Sequence, residues 1–252
     1  MTSSSDDHGD DEARAIAEVL SLLAHDLKNP LAAVVTNVGF VDGFAHDLGP
    51  ASAPTQAELV DVRESLQDAR LACDALHRFV SNLEVIAREL GHVPAGEPSP
   101  VDLQAILDET VARHVAAAES RRVQLDIRGE AGVWVLSDRD TLVRAADNAL
   151  ANAVQHAPSG THVTVALEPR DGEVALVVID DGLVIPPELR EEALSRDGQA
   201  RLKGRPDCRY GRGLSLYAAA VAARRAGGRL EVGQRGSRNL IALVLPRFDD
   251  AV

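Results

Sequence analysis

The chain has 252 residues, a formal net charge of −13, 45% apolar residues and only 3% aromatics. The acidic balance argues against nucleic acid as the main partner, and the only cysteines, Cys73 and Cys208, exclude a disulfide framework and a CxxC metal pair. No stretch approaches the roughly 20 apolar residues of a membrane span and Met1 to Asp11 is polar and acidic, so a cytoplasmic protein of two modest domains, without direct membrane insertion, is expected.

After a disordered acidic tail over 1–11, the spacing predicts a first helix from about Asp10–Glu12 to Leu48, on the order of 58 Å long. Ile16, Leu20, Leu23, Leu27, Val34, Val41, Phe44 and Leu48 keep to alternating three- and four-residue steps, with Pro30 and Asn37 on the same seam. His25 lies off this seam, facing solvent, with Asp26 beside it and Asn29 one turn on. An exposed neutral imidazole is a competent nucleophile, Asp26 can take or orient its ring proton, and an amide at Asn29 can position a water for the reverse hydrolysis. Pro30 cannot donate to the Asp26 carbonyl, so the helix should bend there at a cost of roughly 3 kcal/mol.

The break at 49–55 precedes Thr55 and Glu58, a capping-box pair that starts a second helix. There Leu59, Val62, Leu66, Ala69, Cys73, Leu76, Val80, Leu83, Ala87 and Leu90 form a sustained heptad seam, on which Cys73 is expected as a small core residue. One hairpin, spanning 12–91, cannot bury two such seams, so a homodimer closing a four-helix bundle is expected.

The Gly- and Pro-rich stretch 92–100 reads as a linker, followed by a mixed α/β domain over 101–247 and a tail at 248–252. Helices are expected near 102–119, 139–156 and 213–226, and strands near 123–127, 133–136, 162–168, 173–179, 229–233 and 239–245, in an antiparallel sheet with helices on one face.

Four pieces of this domain carry candidate chemistry. Asn148 and Asn152 share a helix face, and paired carboxamides suit a hydrated Mg²⁺ and phosphate oxygens, although Asn near helix ends also serves as a cap. Asp180 and Gly182 end a strand, where a carboxylate can accept from an adenine amino group or simply form a turn. Gly211-Arg212-Gly213-Leu214 opens an Ala-rich helix whose free N–H groups can meet a phosphate. Between them Arg190, Arg196, Arg201, Lys203, Arg205, Arg209 and Arg212 lie on a glycine-punctuated loop, either a lid over an anionic ligand or a solvated loop.

His25-Asp26-x-x-Asn29-Pro30-Leu31, then Asn148 and Asn152, then Asp180-x-Gly182 and Gly211-x-Gly213-Leu214, occur in one order, and from about 12 to 247 the chain resembles a bacterial histidine kinase of two-component signalling. The resemblance implies a helical hairpin forming a dimeric four-helix bundle, followed by a two-layer α/β sandwich ATP-binding domain of the Bergerat or GHKL type. It implies that His25 takes the γ-phosphoryl of ATP, Asp26 acts as base and Asn29 supports phosphatase activity. Asn152, with Asn148, would hold Mg²⁺ and phosphates, Asp180 would read adenine, His156 would flank the base, and Gly182, Gly211 and Gly213 would shape pocket and lid. The phosphoryl group would pass to an aspartate on a response regulator receiver domain, with input from a separate sensor protein. The sequence departs from the family's pattern at Gln155, usually basic, at Val184 and Ser215, usually glycine, and in lacking the lid phenylalanine. Such departures define the alternative, a histidine phosphotransfer or scaffold protein with a degenerate ATP-binding domain.

Overall fold

The computed structural model describes residues 5–48, 53–129, 132–195, 198 and 214–248, with side chains from Ala24 onward except those of His25 and Asp26. The chain divides into two compact units, Met1–Val80 and Ser81–Val252.

The first unit is built from helices α1, Ser5–Asp47, and α2, Gln56–Leu90, of which α2 from Ser81 onward counts with the second unit. The helix α1 starts at Ser5, ahead of the expected Asp10–Glu12 and inside the segment expected to be a disordered tail. It is unbroken at Pro30. The capping box of α2 forms as expected: the Thr55 backbone N–H donates to Glu58 Oε2 at 2.7 Å, and the Glu58 N–H donates to Thr55 Oγ1 at 3.3 Å. The Thr55 hydroxyl and then its N–H hold the Glu58 carboxyl below its usual range.

The heptad seam of α2 splits into two rows. Val62, Ala69 and Leu76 are wholly or partly withdrawn from solvent, whereas Leu59, Leu66, Cys73 and Val80, seven apart, are exposed. Cys73 is therefore not a core residue of the single chain, because it stands on the outward row. On α1, Leu31, Val35 and Val38 are exposed in the same way.

The second unit is a two-layer α/β sandwich. Strand β1, Ser99–Asp102, pairs antiparallel with β3, Trp134–Ser137, in a small sheet of its own. The main sheet runs β2-β4-β5-β7-β6, with β2 Gln124–Arg128, β4 His162–Arg170, β5 Glu173–Asp180, β6 Arg229–Arg235 and β7 Arg238–Pro246. The sheet is mixed rather than antiparallel throughout: β2 and β4 pair in parallel, because the chain between them crosses over through β3 and helix α4. The strand β1 falls inside the stretch expected to be a linker, where Pro100 and the lack of alternation conceal it.

Helices α3, Leu103–Ser120, α4, Arg139–His156, and α6, Ser215–Arg225, supply the other layer, and a 3-10 turn at Pro187–Leu189 leads into the short α5, Arg190–Ala193. The core between the layers holds Ile106, Leu107, Leu142, Leu150, Leu176, Leu216, Ile241 and Leu243, all fully buried. The helices α4 and α6 meet through alanines, including Ala145, Ala149, Ala219 and Ala223, which allow close helix approach.

The opposite face of the sheet carries a second buried cluster, Ala175, Val177, Ile179, Ala242 and Val244 on the central strands β5 and β7. Long charged side chains of β4, β5 and β6 arch over it. Arg170 of β4 meets Glu231 of β6 at 2.8 Å, and Arg229 of β6 meets Glu173 of β5 at 2.5 and 2.9 Å. The aliphatic stems of such residues cover apolar surface while their heads remain wet.

Candidate functional site

The helix α4 is fastened at both ends. Asp138 caps its start, accepting from the Asp140 N–H at 3.2 Å and the Thr141 hydroxyl at 2.7 Å. At its end Arg121 donates to the carbonyls of Val154 and Gln155 at 3.0 and 2.6 Å, a cation where the helix dipole favours one. Between the caps Asn148 and Asn152 are buried on the same side of the helix, His156 is half-buried and Gln155 is exposed.

Asn148 Nδ2 donates to the Arg144 carbonyl at 2.9 Å and to Asn82 Oδ1 at 2.7 Å. Asp147, beside it, meets the buried His114 of α3, with Nε2 to Oδ1 at 3.0 Å. Among the described residues no three His, Cys, Asp or Glu side chains form a metal cluster, and the oxygen donors carried by Asn148 and Asn152 are amide oxygens. Such hard, neutral donors suit Mg²⁺ that arrives with phosphate oxygens.

Asp180 ends β5 and is fully buried. Its Oδ1 accepts from the Gly182 N–H at 2.8 Å, so the carboxylate is fixed by the turn it begins. The turn is itself clasped by Asn239, which faces Asp180 across the β5–β7 pair. Asn239 Nδ2 donates to the carbonyls of Gly182 and Leu183 at 2.9 and 2.7 Å, and its Oδ1 accepts from the Ile185 N–H at 3.0 Å. The helix α4 packs on β5, which places the two carboxamides and Asp180 on one framework. Val184 is half-buried within the clasped turn.

Leu214 is buried at the N-cap of α6, where its own side chain makes no capping hydrogen bond. Gly211, Arg212 and Gly213, and the loop cations Arg196, Arg201, Lys203, Arg205 and Arg209, lie outside the described residues. In the first unit His25 and Asp26 are helical positions of α1 whose side chains are likewise outside the description, and Asn29 is exposed one turn further on.

Asn239, His114 and Asn82 escaped the sequence reading. Asn239 left one signal, a lone amide preceding the apolar run of β7; His114 and Asn82 left none beyond being polar on otherwise apolar helix faces.

Residues 137–248 match the family model described as histidine kinase-, DNA gyrase B-, and HSP90-like ATPase. The chain is 28% identical over 229 residues to the sensor-like histidine kinase SenX3 of Mycolicibacterium smegmatis, covering 90% of this chain and 56% of that protein. It is 31% identical over 186 residues to the signal transduction histidine-protein kinase/phosphatase MprB of Mycolicibacterium paratuberculosis, covering 71% of this chain and 33% of that one. The chain thus spans just over half the length of the first relative and a third of the second. The solved structure of the Acinetobacter baumannii histidine kinase AdeS shares the fold, with a TM-score of 0.56 at 14% identity over 89% of this chain and 98% of that one. No helix among the described residues is long and apolar enough to cross a membrane. Residues 137–248 thus form an ATPase domain of the histidine kinase-, DNA gyrase B- and HSP90-like family, and along most of its length the chain is similar to sensor histidine kinases.

Proposed function

We propose that this chain is an ATP-dependent protein histidine kinase that phosphorylates its own His25 and passes the phosphoryl group to an aspartate of a receiver domain. One observation carries the reading: a single chain joins the sequence His25-Asp26-x-x-Asn29-Pro30, on a helix, to an ATPase fold in which Asp180 is buried with its carboxylate fixed by Gly182. In this reading Asp180 accepts from the adenine amino group, His156 flanks the base, and the N-terminus of α6, with Gly211, Arg212, Gly213 and Leu214, meets the phosphates. Asn152 and Asn148 hold Mg²⁺, which when bound neutralises phosphate charge. The ring nitrogen of His25 attacks the γ-phosphorus, ADP leaves and the ring proton passes to Asp26. Asn29 orients the water that hydrolyses phosphohistidine, which gives the chain a phosphatase activity.

The exposed rows Leu59-Leu66-Cys73-Val80 and Leu31-Val35-Val38 support a homodimer, since a second hairpin laid against them closes a four-helix bundle. The bundle surface near His25 receives the regulator, and input comes from a sensor partner to a chain working in the cytoplasm. Incubating the protein with γ-labelled ATP and Mg²⁺, beside His25→Ala, tests the reading: acid-labile, alkali-stable label appears in the first and not in the second. Label that enters His25 only from a phosphorylated receiver domain would instead establish the phosphotransfer protein.

A further inference from the structure

The final turns of α2 are built into the second unit. Val85 and Ile86 are 5% and 8% exposed, and Val85 joins the main core. Polar contacts anchor the same segment to two helices. Arg144 of α4 donates to the Ser81 carbonyl at 3.1 Å and meets Glu84 at 3.3 Å, while Arg224 and Arg225 of α6 approach Glu89 at 3.5 and 3.6 Å. Arg225 also holds the chain leaving α2, donating to the carbonyls of Val93 and Pro94 at 2.9 and 3.0 Å.

Within this docked segment Asn82 is 6% exposed and bonds to Asn148. The partners decide the orientation of the Asn148 amide. The Arg144 carbonyl can only accept, so the atom facing it is the amide nitrogen, and the other hydrogen of that nitrogen is taken by Asn82 Oδ1. Both N–H donors are thereby spent. What remains is Asn148 Oδ1, which has no hydrogen-bond partner among the described residues and can act only as an acceptor or a cation ligand. Without Asn82 one donor is released, and the carboxamide can turn an N–H outward in place of its oxygen.

We propose that Asn82 is a positioning residue for the nucleotide site: it holds the Asn148 carboxamide with its oxygen presented to the Mg²⁺ that accompanies the phosphates. This rests on the ATP-binding reading. It also makes the seating of the α2 end a determinant of metal–nucleotide affinity, so that a partner acting on α2 has a physical route to the catalytic domain.

The test is calorimetric titration of the full chain with ADP, in excess Mg²⁺ and separately in EDTA, on the wild type, Asn82→Leu, Asn82→Ala and Asn82→Asp, each checked for folding by thermal melting. Asn82→Leu and Asn82→Ala should weaken binding with Mg²⁺ about tenfold, as loss of an outer-shell partner does, and leave binding in EDTA unchanged. Asn82→Asp keeps the acceptor and should retain the Mg²⁺-dependent affinity. In an Asn148→Ala background Asn82→Ala should add no further loss. Equal weakening with and without Mg²⁺, or a loss that persists in the Asn148→Ala background, would overturn the proposal. Tighter Mg²⁺-ADP binding by Asn82→Ala would overturn it too, and would make the contact an inhibitory latch. A wild type that binds no ADP in either buffer would remove the nucleotide reading itself, a different outcome from any of these.

Discussion

Arg235, on the edge strand β6, forms a two-pronged ion pair with Glu168 of β4, at 2.6 and 2.8 Å, across the face of the two strands that lie between them. With the Arg170–Glu231 pair it roofs the apolar strip of Ala175, Val177, Ile179, Ala242 and Val244. The hydrogen bond from Arg235 holds the Glu168 carboxyl below its usual range, against the smaller opposing effect of burial. A carboxylate with a depressed folded-state pKa stabilises the fold above its unfolded value of about 4.3, and that contribution is lost as pH falls through the folded value. Solvent screening limits it to under about 1 kcal/mol. Urea unfolding followed by the fluorescence of Trp134, the single tryptophan, should show Glu168→Gln less stable than wild type at neutral pH, with the gap closing in acid. An equal gap at both pH values would assign the effect to lost cover over the strip rather than to charge.

Asn239 is 1% exposed and satisfies three backbone groups of the turn after Asp180. Replacing it by Leu leaves the Gly182 carbonyl and the Ile185 N–H buried without this partner, at about 1–3 kcal/mol each before relaxation. The expected loss is about 2–4 kcal/mol of stability, read by chemical denaturation, together with weakened ADP binding. A variant as stable as the wild type would show that water or a shifted turn replaces the clasp.

Asp180→Asn separates binding from folding. An Asn oxygen can still accept from the Gly182 N–H, so the melting temperature should move little. The reversed polarity toward an adenine amino group should lower ADP affinity at least about tenfold. Unchanged affinity in calorimetry would remove Asp180 from the adenine-reading role.

Leu66 and Val80 stand on the outward row of α2 at 51% and 50% exposure. If a second copy covers this row, Leu66→Glu sets two carboxylates into an apolar seam, and sedimentation should show a monomer where the wild type is a dimer. ADP affinity should be unchanged, since Leu66 lies in the first unit. A wild type that sediments as a monomer would count against the bundle.

Much of the architecture was legible without coordinates. The helices over 103–120 and 139–156 and the strands at 162–170 and 173–180 follow from apolar period and turn residues, and Thr55 with Glu58 marks the start of α2. The strand Ser99–Asp102 was hidden by Pro100 and its lack of alternation, and the outward placement of Cys73 by a seam that one hairpin covers on only one side. Asn148, Asn152, Asp180 and Gly182 stand out in the sequence as candidates, whereas Asn239 and Asn82 do not.

The sequence by itself determined most of the elements, the Thr55–Glu58 capping box and the candidate chemistry, because helix period, strand alternation and capping act between residues a few positions apart. Only the tertiary structure decided the parallel pairing of β2 with β4, the ion pairs roofing the sheet, the grip of Asn239 on the Asp180 turn and the contact between Asn82 and Asn148. Each of these joins residues distant in the chain, and what selects them is the matching of donors to acceptors inside a packed interior. Local spacing carries no record of that matching.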